Sequence, residues 1–525
     1  MKKTTFKLLA AVLALSLLLS GCGLLRLPVS FDRMVYTRPD VSAMQQKLDD
    51  VENILPEAKS AKQIMDKFYL FYFDYLDFVT NYSLAYIHYC QDMTDIYWEQ
   101  EYNYCLENTT WLEAGYDQLL YALADTPLVE ELESANYFGP GFFDAYEGDS
   151  LWDDTLVSLT EQEDALLAKY YTLSAEPYDG SNTYMETTGL QIAQVYTEMI
   201  ALRQQIAEHA GYPDYPSFAY DFYHRRDYTP KQAELYMASI QKQLVPLYKE
   251  TAPLEHWAAG YEESTPEATL QHVAGVAGAM GGVIKEAFDV MKRYNVYDIT
   301  PSEKKYDASF EIYLYSYNLP FVFVNSNGTL RDRLTLTHEF GHFCRDYASY
   351  GFSVGVDVLE FFSQGLENLS LFYTDDRSTL EKLRLQDSLN VYVEQAAYAS
   401  FEQQVYQLTG DDLTVENVDS LYTQVMKDFG LDMWGVEGRD YVLLPHIFIS
   451  PMYIISYIVS NDAALQLYQL ENAKAGDGLA AYQQCLSTQQ SSFLAFIQES
   501  GLESPFQPNR LAKVRDTFAD ALLTD

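Results

Sequence analysis

Apolar residues recur along most of this chain at intervals of three or four, the spacing that places them on one face of a helix. Between about residues 39 and 127 this spacing continues almost without a break, as at Ile64, Phe68 and Phe71. The aromatic run at 68–75 could stack on a ligand, but a helix that is buried on most sides is the favoured interpretation. The pattern therefore predicts long helices for this part of the chain.

The helical spacing gives way at two runs of β-prone residues, 310–317 and 321–325, which predict a small β-sheet. Helices are expected on both sides of it. Thr229 can cap the start of one, and Thr414 can cap another that ends at Gly430. Loops are predicted where Gly, Pro, Asp and Asn cluster, at 137–151 and 176–184. The predicted fold class is therefore mainly α, with one small sheet.

Residues 335–343 read Thr-Leu-Thr-His-Glu-Phe-Gly-His-Phe. His338 and His342 are four residues apart, so on a helix both imidazoles lie on one face and can bind the same metal ion. Glu339 lies beside the first histidine, where it can take a proton from water at that metal. This spacing is typical of zinc peptidases. An exposed helix without a metal is the alternative, but the flanking Leu and Phe residues predict a buried helix.

A second predicted helix offers a third ligand. Asp357, Glu360, Gln364 and Glu367 recur at intervals of three and four, which places them on one helical face. We predict that Glu360 binds the metal, that Asp357 accepts a hydrogen bond from a ligand histidine, and that Glu367 supports them. A helix whose acids face water is the alternative, and the intervening Phe and Leu residues argue against it.

The His-Glu-Phe-Gly-His stretch, followed by Asp-x-x-Glu-x-x-Ser-x-x-x-Glu, resembles the M3 family of zinc metallopeptidases, whose branches include thimet oligopeptidase and oligoendopeptidase F. The stretches 203–212, 320–329 and 446–457 are also similar to that family, so the resemblance covers roughly residues 200 to 470. It implies a large, helical, two-lobed metallopeptidase with a deep substrate channel and a small sheet beside the metal-binding helix. It also implies one zinc ion, with Glu339 as the general base.

The family's counterpart of the 446–457 stretch provides hydrogen-bond donors for the substrate and the developing oxyanion. The resemblance therefore implies this role for His446, Tyr453 and Tyr457. Imidazole and phenol groups can both donate, so the residue types suit the role. Ordinary packing in a buried helix stays an alternative, because the chain contains 45 Tyr.

The expected activity, by the same resemblance, is hydrolysis of peptide bonds in short unfolded peptides. One edge strand of the sheet is expected to pair with the extended substrate. Two alternatives stay open: a lipoprotein that binds peptides on a peptidase scaffold without cutting them, and a zinc hydrolase that acts on a non-peptide amide. The presence of every expected ligand and of the general base favours the peptidase.

The composition of the chain limits the classes of partner that it can bind. The chain has 525 residues, of which 48% are hydrophobic, and a formal net charge of −42. A strongly acidic protein lacks the basic face that binds phosphate backbones, which excludes nucleic acid. In such a chain His224 and the pair Arg225-Arg226 could meet a substrate carboxylate, but local ion pairing is favoured. Cys90 and Cys105 could form a disulfide, although nothing in their spacing requires it. A monomer is expected.

The N-terminus predicts export. Three lysines precede an apolar run at 8–19, which is too short to span a bilayer. The following Leu-Ser-Gly-Cys resembles a bacterial lipobox, which implies cleavage before Cys22 and a lipid on its thiol. An ordinary secretory signal is the alternative. The predicted organisation is a signal peptide at 1–21, a tether at 22–40, an N-terminal helical region at 41–195 and a catalytic region at 196–525. The body would face outward, on a bacterial membrane that it meets only through the lipid.

Overall fold

A computed structural model describes residues 28–523, apart from residues 147, 149, 177 and 254–259. The predicted signal peptide at 1–21 and the predicted lipidation site, Cys22, lie outside the described residues. Within the part of the chain that is described, no helix is both long enough and apolar enough to cross a membrane.

Helices make up most of the described chain. In chain order they are α1 Val41–Ile54, α2 Ala61–Gln91, α3 Ile96–Glu107, α4 Thr109–Ala124, α5 Val129–Leu132, α6 Asp154–Ser174, α7 Asn182–Glu186, α8 Thr188–His209, α9 Tyr215–Phe218, α10 Pro230–Gln243, α11 Val245–Thr251, α12 Pro266–Met280, α13 Gly282–Tyr294, α14 Arg331–Ser349, α15 Val356–Ser370, α16 Arg377–Asn390, α17 Ala396–Val405, α18 Val415–Asp428, α19 His446–Ile449, α20 Ile455–Ala473, α21 Asp477–Cys485, α22 Phe493–Ser500 and α23 Arg510–Leu522. The strands are β1 Tyr297–Asp298, β2 Ser309–Leu314 and β3 Leu319–Val324.

The chain divides into two compact units. The first runs to Asp153 and adds Tyr261–Val354 and Gln483–Ser491, and the second comprises Asp154–Gly260, Gly355–Tyr482 and Ser492–Asp525. Each unit therefore collects segments that are distant in sequence. The predicted boundary between residues 195 and 196 cuts the chain only once, and it stays a prediction.

The first unit combines the N-terminal helices with the sheet. In α2 the side chains of Ile64, Phe68 and Phe71 are buried, as the helical spacing predicted. The strand order is β1-β3-β2, with β3 parallel to β1 and antiparallel to β2. Every residue of β3 is buried, and α14 packs against both β3 and β2. The sheet thus supports one side of the helix that carries the His-Glu-Phe-Gly-His sequence.

In the second unit, the described residues form helices, turns and loops. The helix α6 packs on α8, and α15 packs along α20. Gly365 permits this close approach, because a Cβ atom there would lie 2.8 Å from Cδ1 of Leu467 on α20. The predicted caps are confirmed: Thr229 accepts a hydrogen bond from the backbone N–H of Gln232, and Thr414 caps α18.

Two local expectations differ from the structure. The sheet contains a third strand, β1, whose two residues are too few for a readable sequence pattern. The predicted loop at 176–184 was wrong at its end, because α7 already begins at Asn182. Its start is stabilised by Ser181, whose hydroxyl accepts a 3.1 Å hydrogen bond from the backbone N–H of Tyr184. Cys90 and Cys105 are buried thiols that form no disulfide.

Candidate active site

The two histidines of the predicted metal motif lie in the middle of α14, in the first unit. His338 and His342 are one helical turn apart, and their ring centroids are 5.1 Å from each other. His342 is buried and His338 is half-buried. The four-residue spacing therefore brings both imidazoles to one helix face, as the sequence predicted, while apolar residues cover the opposite face.

The start and the buried face of α14 are fixed by local contacts. The carboxylate of Asp332 is buried and accepts hydrogen bonds from the backbone N–H groups of Asn327 (3.2 Å) and Gly328 (2.9 Å). This closes the turn that leads from β3 into the helix. Further along, the Phe340 ring packs edge-on against Phe288 of α13, with 5.7 Å between the ring centroids. These contacts limit rotation of the helix and hence of its histidines.

Glu339, the predicted general base, is also buried, with 4% of its surface exposed. The neighbouring strand β2 carries Glu311, whose pKa is raised well above its ordinary value, mainly by burial and further by the charges of Asp346 and Glu339. Burial likewise raises the pKa of Asp346 to about 7. Glu311 was not among the predicted site residues. An acid within an otherwise apolar, β-prone run was the signal that could have identified it.

Glu360 lies on α15 in the second unit, and its carboxylate is buried. Tyr453 donates a 2.6 Å hydrogen bond from its phenol to Oε1 of Glu360, and Ser363 donates a 3.2 Å hydrogen bond to Oε2. Because each carboxylate oxygen has two acceptor sites, these bonds orient the group and leave it able to bind a cation. Burial of Tyr453 raises its pKa well above the ordinary value, so the phenol keeps its proton.

The other acids of α15 are held by buried arginines. Arg226 donates to both carboxylate oxygens of Asp357, at 3.2 and 3.3 Å, which confirms the expectation of local ion pairing for this arginine. Arg384 lies 3.0 Å from the carboxylate of Glu367. The predicted hydrogen bond from a ligand histidine to Asp357 stays a prediction. The carboxylates of Asp357 and Glu367 are both anchored within their own unit.

The segment 446–457 brings its three predicted donors together. His446 Nε2 and the Tyr457 hydroxyl form a 3.2 Å hydrogen bond, and the Tyr453 and Tyr457 ring centroids are 5.2 Å apart. Desolvation by the surrounding protein lowers the pKa of His446, and the charge of Glu360 opposes that shift. The segment therefore presents an imidazole and two phenols at one place, beside the Glu360 carboxylate.

The backbone of this segment is held by a buried arginine of the stretch 203–212 for which no role was predicted. Arg203 donates to the carbonyl oxygens of Ile447 (2.7 Å) and Phe448 (2.6 Å) and pairs with Glu163. Its side chain is fully buried. An arginine in the buried middle of an apolar helix was the available signal, because such a cation requires buried acceptors.

The donor set suits zinc. Two imidazoles at a spacing of one helical turn and an oriented carboxylate are ligands that zinc accepts, and a catalytic site needs three from the protein. The structure brings His338, Glu339 and His342 together within the first unit. Within the second unit it brings together Glu360, His446, Tyr453 and Tyr457.

Two family models match this chain. Residues 31–150 match the Peptidase M3 N-terminal domain, and residues 283–503 match Peptidase family M3. No curated protein sequence matches the chain. Among solved structures, PZ peptidase A with inhibitor 2 superimposes with a TM-score of 0.83 at 17% identity, covering 94% of this chain and 99% of that one.

Two further structures show how widely the fold is shared. A protein described as a "putative oligoendopeptidase F" from Bacillus anthracis str. Ames has a TM-score of 0.80 at 20% identity, covering 95% of this chain and 99% of its own. The M32 carboxypeptidase from Deinococcus radiodurans R1 has a TM-score of 0.57 at 13% identity, covering 92% and 100%. At these identities the similarity concerns the fold. It confirms the predicted mainly α class with a small sheet.

Proposed function

The chain belongs to peptidase family M3 and is a metallopeptidase, and from this premise we propose that it is a zinc-dependent endopeptidase of short, unfolded peptides. His338, His342 and Glu360 are the proposed ligands of a single zinc ion, and Glu339 is the proposed general base. One observation carries this proposal. The histidine pair and Glu339 occupy one turn of a helix whose packing buries Glu339 and His342, so two imidazoles share one face beside a carboxylate.

In the proposed reaction, bound zinc supplies Lewis acidity that polarises the peptide carbonyl and acidifies the attacking water. The Glu339 carboxylate accepts the proton of that water and later gives it to the nitrogen of the leaving amine. The Tyr457 phenol, paired with His446, donates a hydrogen bond to the oxyanion that develops on the carbonyl. Tyr453 has a different part, because its phenol already donates to Oε1 of Glu360 and orients that ligand.

The proposed substrates are peptides in an extended conformation. Strand β2 is at an edge of the sheet, since β3 lies between it and β1. Its outer backbone groups can therefore pair with a peptide strand, which favours unfolded over folded substrates. A catalytic channel of the kind implied by the resemblance would limit substrate length. Nucleic acid stays excluded by the acidic composition, and a monomer is proposed.

We also propose that the enzyme acts outside the cell, tethered to the outer face of a bacterial membrane by a lipid on Cys22. The support is the lipobox-like Leu-Ser-Gly-Cys sequence after a short apolar run. In a bacterial host, the Cys22→Ser protein should leave the membrane fraction for the medium or periplasm. Mass spectrometry of the wild-type N-terminal peptide should show the added acyl mass. An unmodified N-terminal peptide would favour the ordinary secretory signal.

The activity is tested with a soluble protein that begins after Cys22. The zinc-loaded wild type, the Glu339→Gln protein and a chelator-treated sample are incubated with a mixed peptide library, and products are read by mass spectrometry. Glu339→Gln should keep its zinc, because the ligands are unchanged, while turnover falls by about 100-fold or more. Glu286→Gln, which changes an exposed acid on α13, is the matched control and should cleave like the wild type.

The outcomes separate the candidate functions. Cleavage that is lost both with chelator and with Glu339→Gln supports the endopeptidase. A zinc-loaded wild type that leaves every peptide intact but retains some of them would favour the non-cutting peptide-binding protein. Zinc-dependent hydrolysis of simple amides without any peptide cleavage would favour the non-peptide hydrolase. Full activity of Glu339→Gln would contradict the assigned base.

A further inference from the structure

The segment that carries His446 and Tyr453 is held at several backbone carbonyls by side chains from elsewhere in the second unit. Besides the two carbonyls bound by Arg203, the carbonyl of Met452 accepts a 2.8 Å hydrogen bond from Nη1 of Arg226. The carbonyl of Pro451 accepts a 2.8 Å hydrogen bond from Nε2 of His224. Residues more than 200 positions away in sequence therefore determine the course of this segment.

The backbone of the segment is most constrained at Met452. Its φ angle is +63°, in the left-handed region that side chains other than glycine rarely adopt. Its backbone N–H donates a 2.7 Å hydrogen bond to Oε1 of Glu402, which is buried. Both backbone groups of this residue are thus bound to buried ionisable side chains. A strained conformation of this kind persists only when its surroundings hold it.

Arg226 also reaches the helix that carries Glu360. Its guanidinium binds the carboxylate of Asp357, three residues before Glu360 on α15, and donates a 2.9 Å hydrogen bond to the hydroxyl of Ser456. Ser456 in turn donates a 2.5 Å hydrogen bond to Oδ1 of Asp357. The Arg226 side chain is 1% exposed, and the central carbon of its guanidinium lies 4.4 Å from the Tyr220 ring centroid. These contacts therefore hold the guanidinium in one position.

One guanidinium thus joins two pieces of the site. At one end it holds the residue immediately before Tyr453, and at the other it holds the helix turn immediately before Glu360. The 2.6 Å hydrogen bond between Tyr453 and Glu360 is a second link between this segment and α15. A planar group with five donors can make all these bonds at once, whereas the single ammonium of lysine cannot reach the acceptors at all the edges of that fork.

From this geometry we propose that Arg226 is a positioning residue for peptide hydrolysis, which sets the register between the Glu360 carboxylate and the phenols of Tyr453 and Tyr457. The inference rests on the proposed peptidase function. Arg226 acts through the segment and not on the substrate, because its guanidinium is enclosed by protein. Misplacing the phenols by about 1 Å lowers the rate of the chemical step by about 100-fold while leaving most substrate contacts intact.

Arg226→Lys tests the proposal, because it keeps the positive charge beside Asp357 and removes the planar fork. We expect kcat to fall by about 10- to 100-fold, with KM within about threefold of wild type and with zinc content unchanged. Arg515→Lys is the matched control, since Arg515 forms an exposed ion pair with Asp516 at 2.6 Å. That variant should keep wild-type kinetics.

Two readouts separate positioning from a purely structural role. Hydrogen exchange of the amides in 446–457 should accelerate in Arg226→Lys, while the amides of α14 keep their protection. If Arg226 acts by positioning the phenols, combining Arg226→Lys with Tyr457→Phe should lower kcat by less than the product of the single effects. Multiplicative effects, or unchanged exchange in the segment, would overturn the proposal.

A second variant covers the case in which Arg226→Lys fails to fold. Ser456→Ala removes the hydroxyl that links Arg226 to Asp357 and creates little space. It should show a smaller kcat loss of the same kind, and wild-type kcat in both variants would contradict the inference. If wild type and Arg515→Lys cleave peptides and the Arg226 and Ser456 variants match them, only the positioning role fails. If the wild type cleaves nothing, the peptidase proposal fails and the positioning role with it.

Discussion

His224 makes a specific prediction about acid stability. Its imidazole is largely enclosed beside Arg226, and its Nε2–H donates to the carbonyl of Pro451. Burial, with a contribution from the Arg226 charge, lowers the pKa of His224 from 6.5 to about 4. Below pH 6.5 the unfolded chain binds a proton here that the folded protein does not bind until about pH 4. The contribution of this residue to the free energy of unfolding is therefore present at neutral pH and is lost as the pH falls from 6.5 to 4.

The size of the effect follows from the two pKa values. The difference between the two pKa values corresponds to about 3 kcal/mol when the titration is complete, at about 1.36 kcal/mol for each pKa unit. At pH 4.5 the titration is nearly complete in the unfolded chain and partial in the folded protein, so about 2 to 3 kcal/mol of the effect is expressed. His224→Gln removes the titrating group, and the glutamine amide can still donate to the Pro451 carbonyl.

We would measure denaturant unfolding of metal-free wild-type and His224→Gln protein at pH 7.5 and pH 4.5, so that zinc binding does not contribute to the pH dependence. Between these pH values, the wild type should lose about 2 to 3 kcal/mol more unfolding free energy than the variant does. His209→Gln, at an exposed histidine of α8, is the control and should follow the wild type. Equal losses in the wild type and His224→Gln would refute the claim that buried, neutral His224 opposes acid stability.

The two tyrosines of the segment should respond differently to loss of the hydroxyl. Tyr457→Phe removes the proposed oxyanion donor, so kcat should fall by about 100-fold while zinc content stays at wild type. Tyr453→Phe leaves Oε1 of Glu360 without its phenol donor, so zinc affinity, measured by competition with a chromogenic chelator, should weaken by about 10- to 100-fold. Unchanged zinc affinity in Tyr453→Phe together with a large kcat loss at saturating zinc would reverse the two assignments.

The parts of the site that the sequence predicted are those that depend on one helix. The spacing of His338 and His342 fixes their shared face, and α14 has that arrangement. The caps at Thr229 and Thr414 were predictable for the same reason, since a cap and the N–H that it binds are three residues apart. Interactions of this kind depend on local backbone geometry, which a short window of sequence specifies.

The contacts that orient the site residues could not be predicted from a short window of sequence. Tyr453 and Glu360 are 93 positions apart, and Arg203 lies 244 positions from the carbonyl of Ile447 that it binds. Backbone carbonyls are present at every residue, so no side-chain pattern marks which of them a distant arginine will bind. Glu311 was missed because its significance comes from burial beside Asp346, on a different element of the first unit.

The buried charge of Arg226 contributes both to the predicted loss of stability in acid and to the proposed catalysis. Arg226 must stay charged to bind Asp357 and the Met452 carbonyl, and the same charge helps to keep its neighbour His224 neutral. Removing one partner of a buried pair leaves the other uncompensated, which costs more than the pair itself contributes to stability. A contribution to stability therefore explains the presence of Arg226 at this site poorly. Its role in positioning Tyr453 explains it better. A form of Arg226→Lys that unfolds like the wild type yet turns over slowly would separate these two explanations.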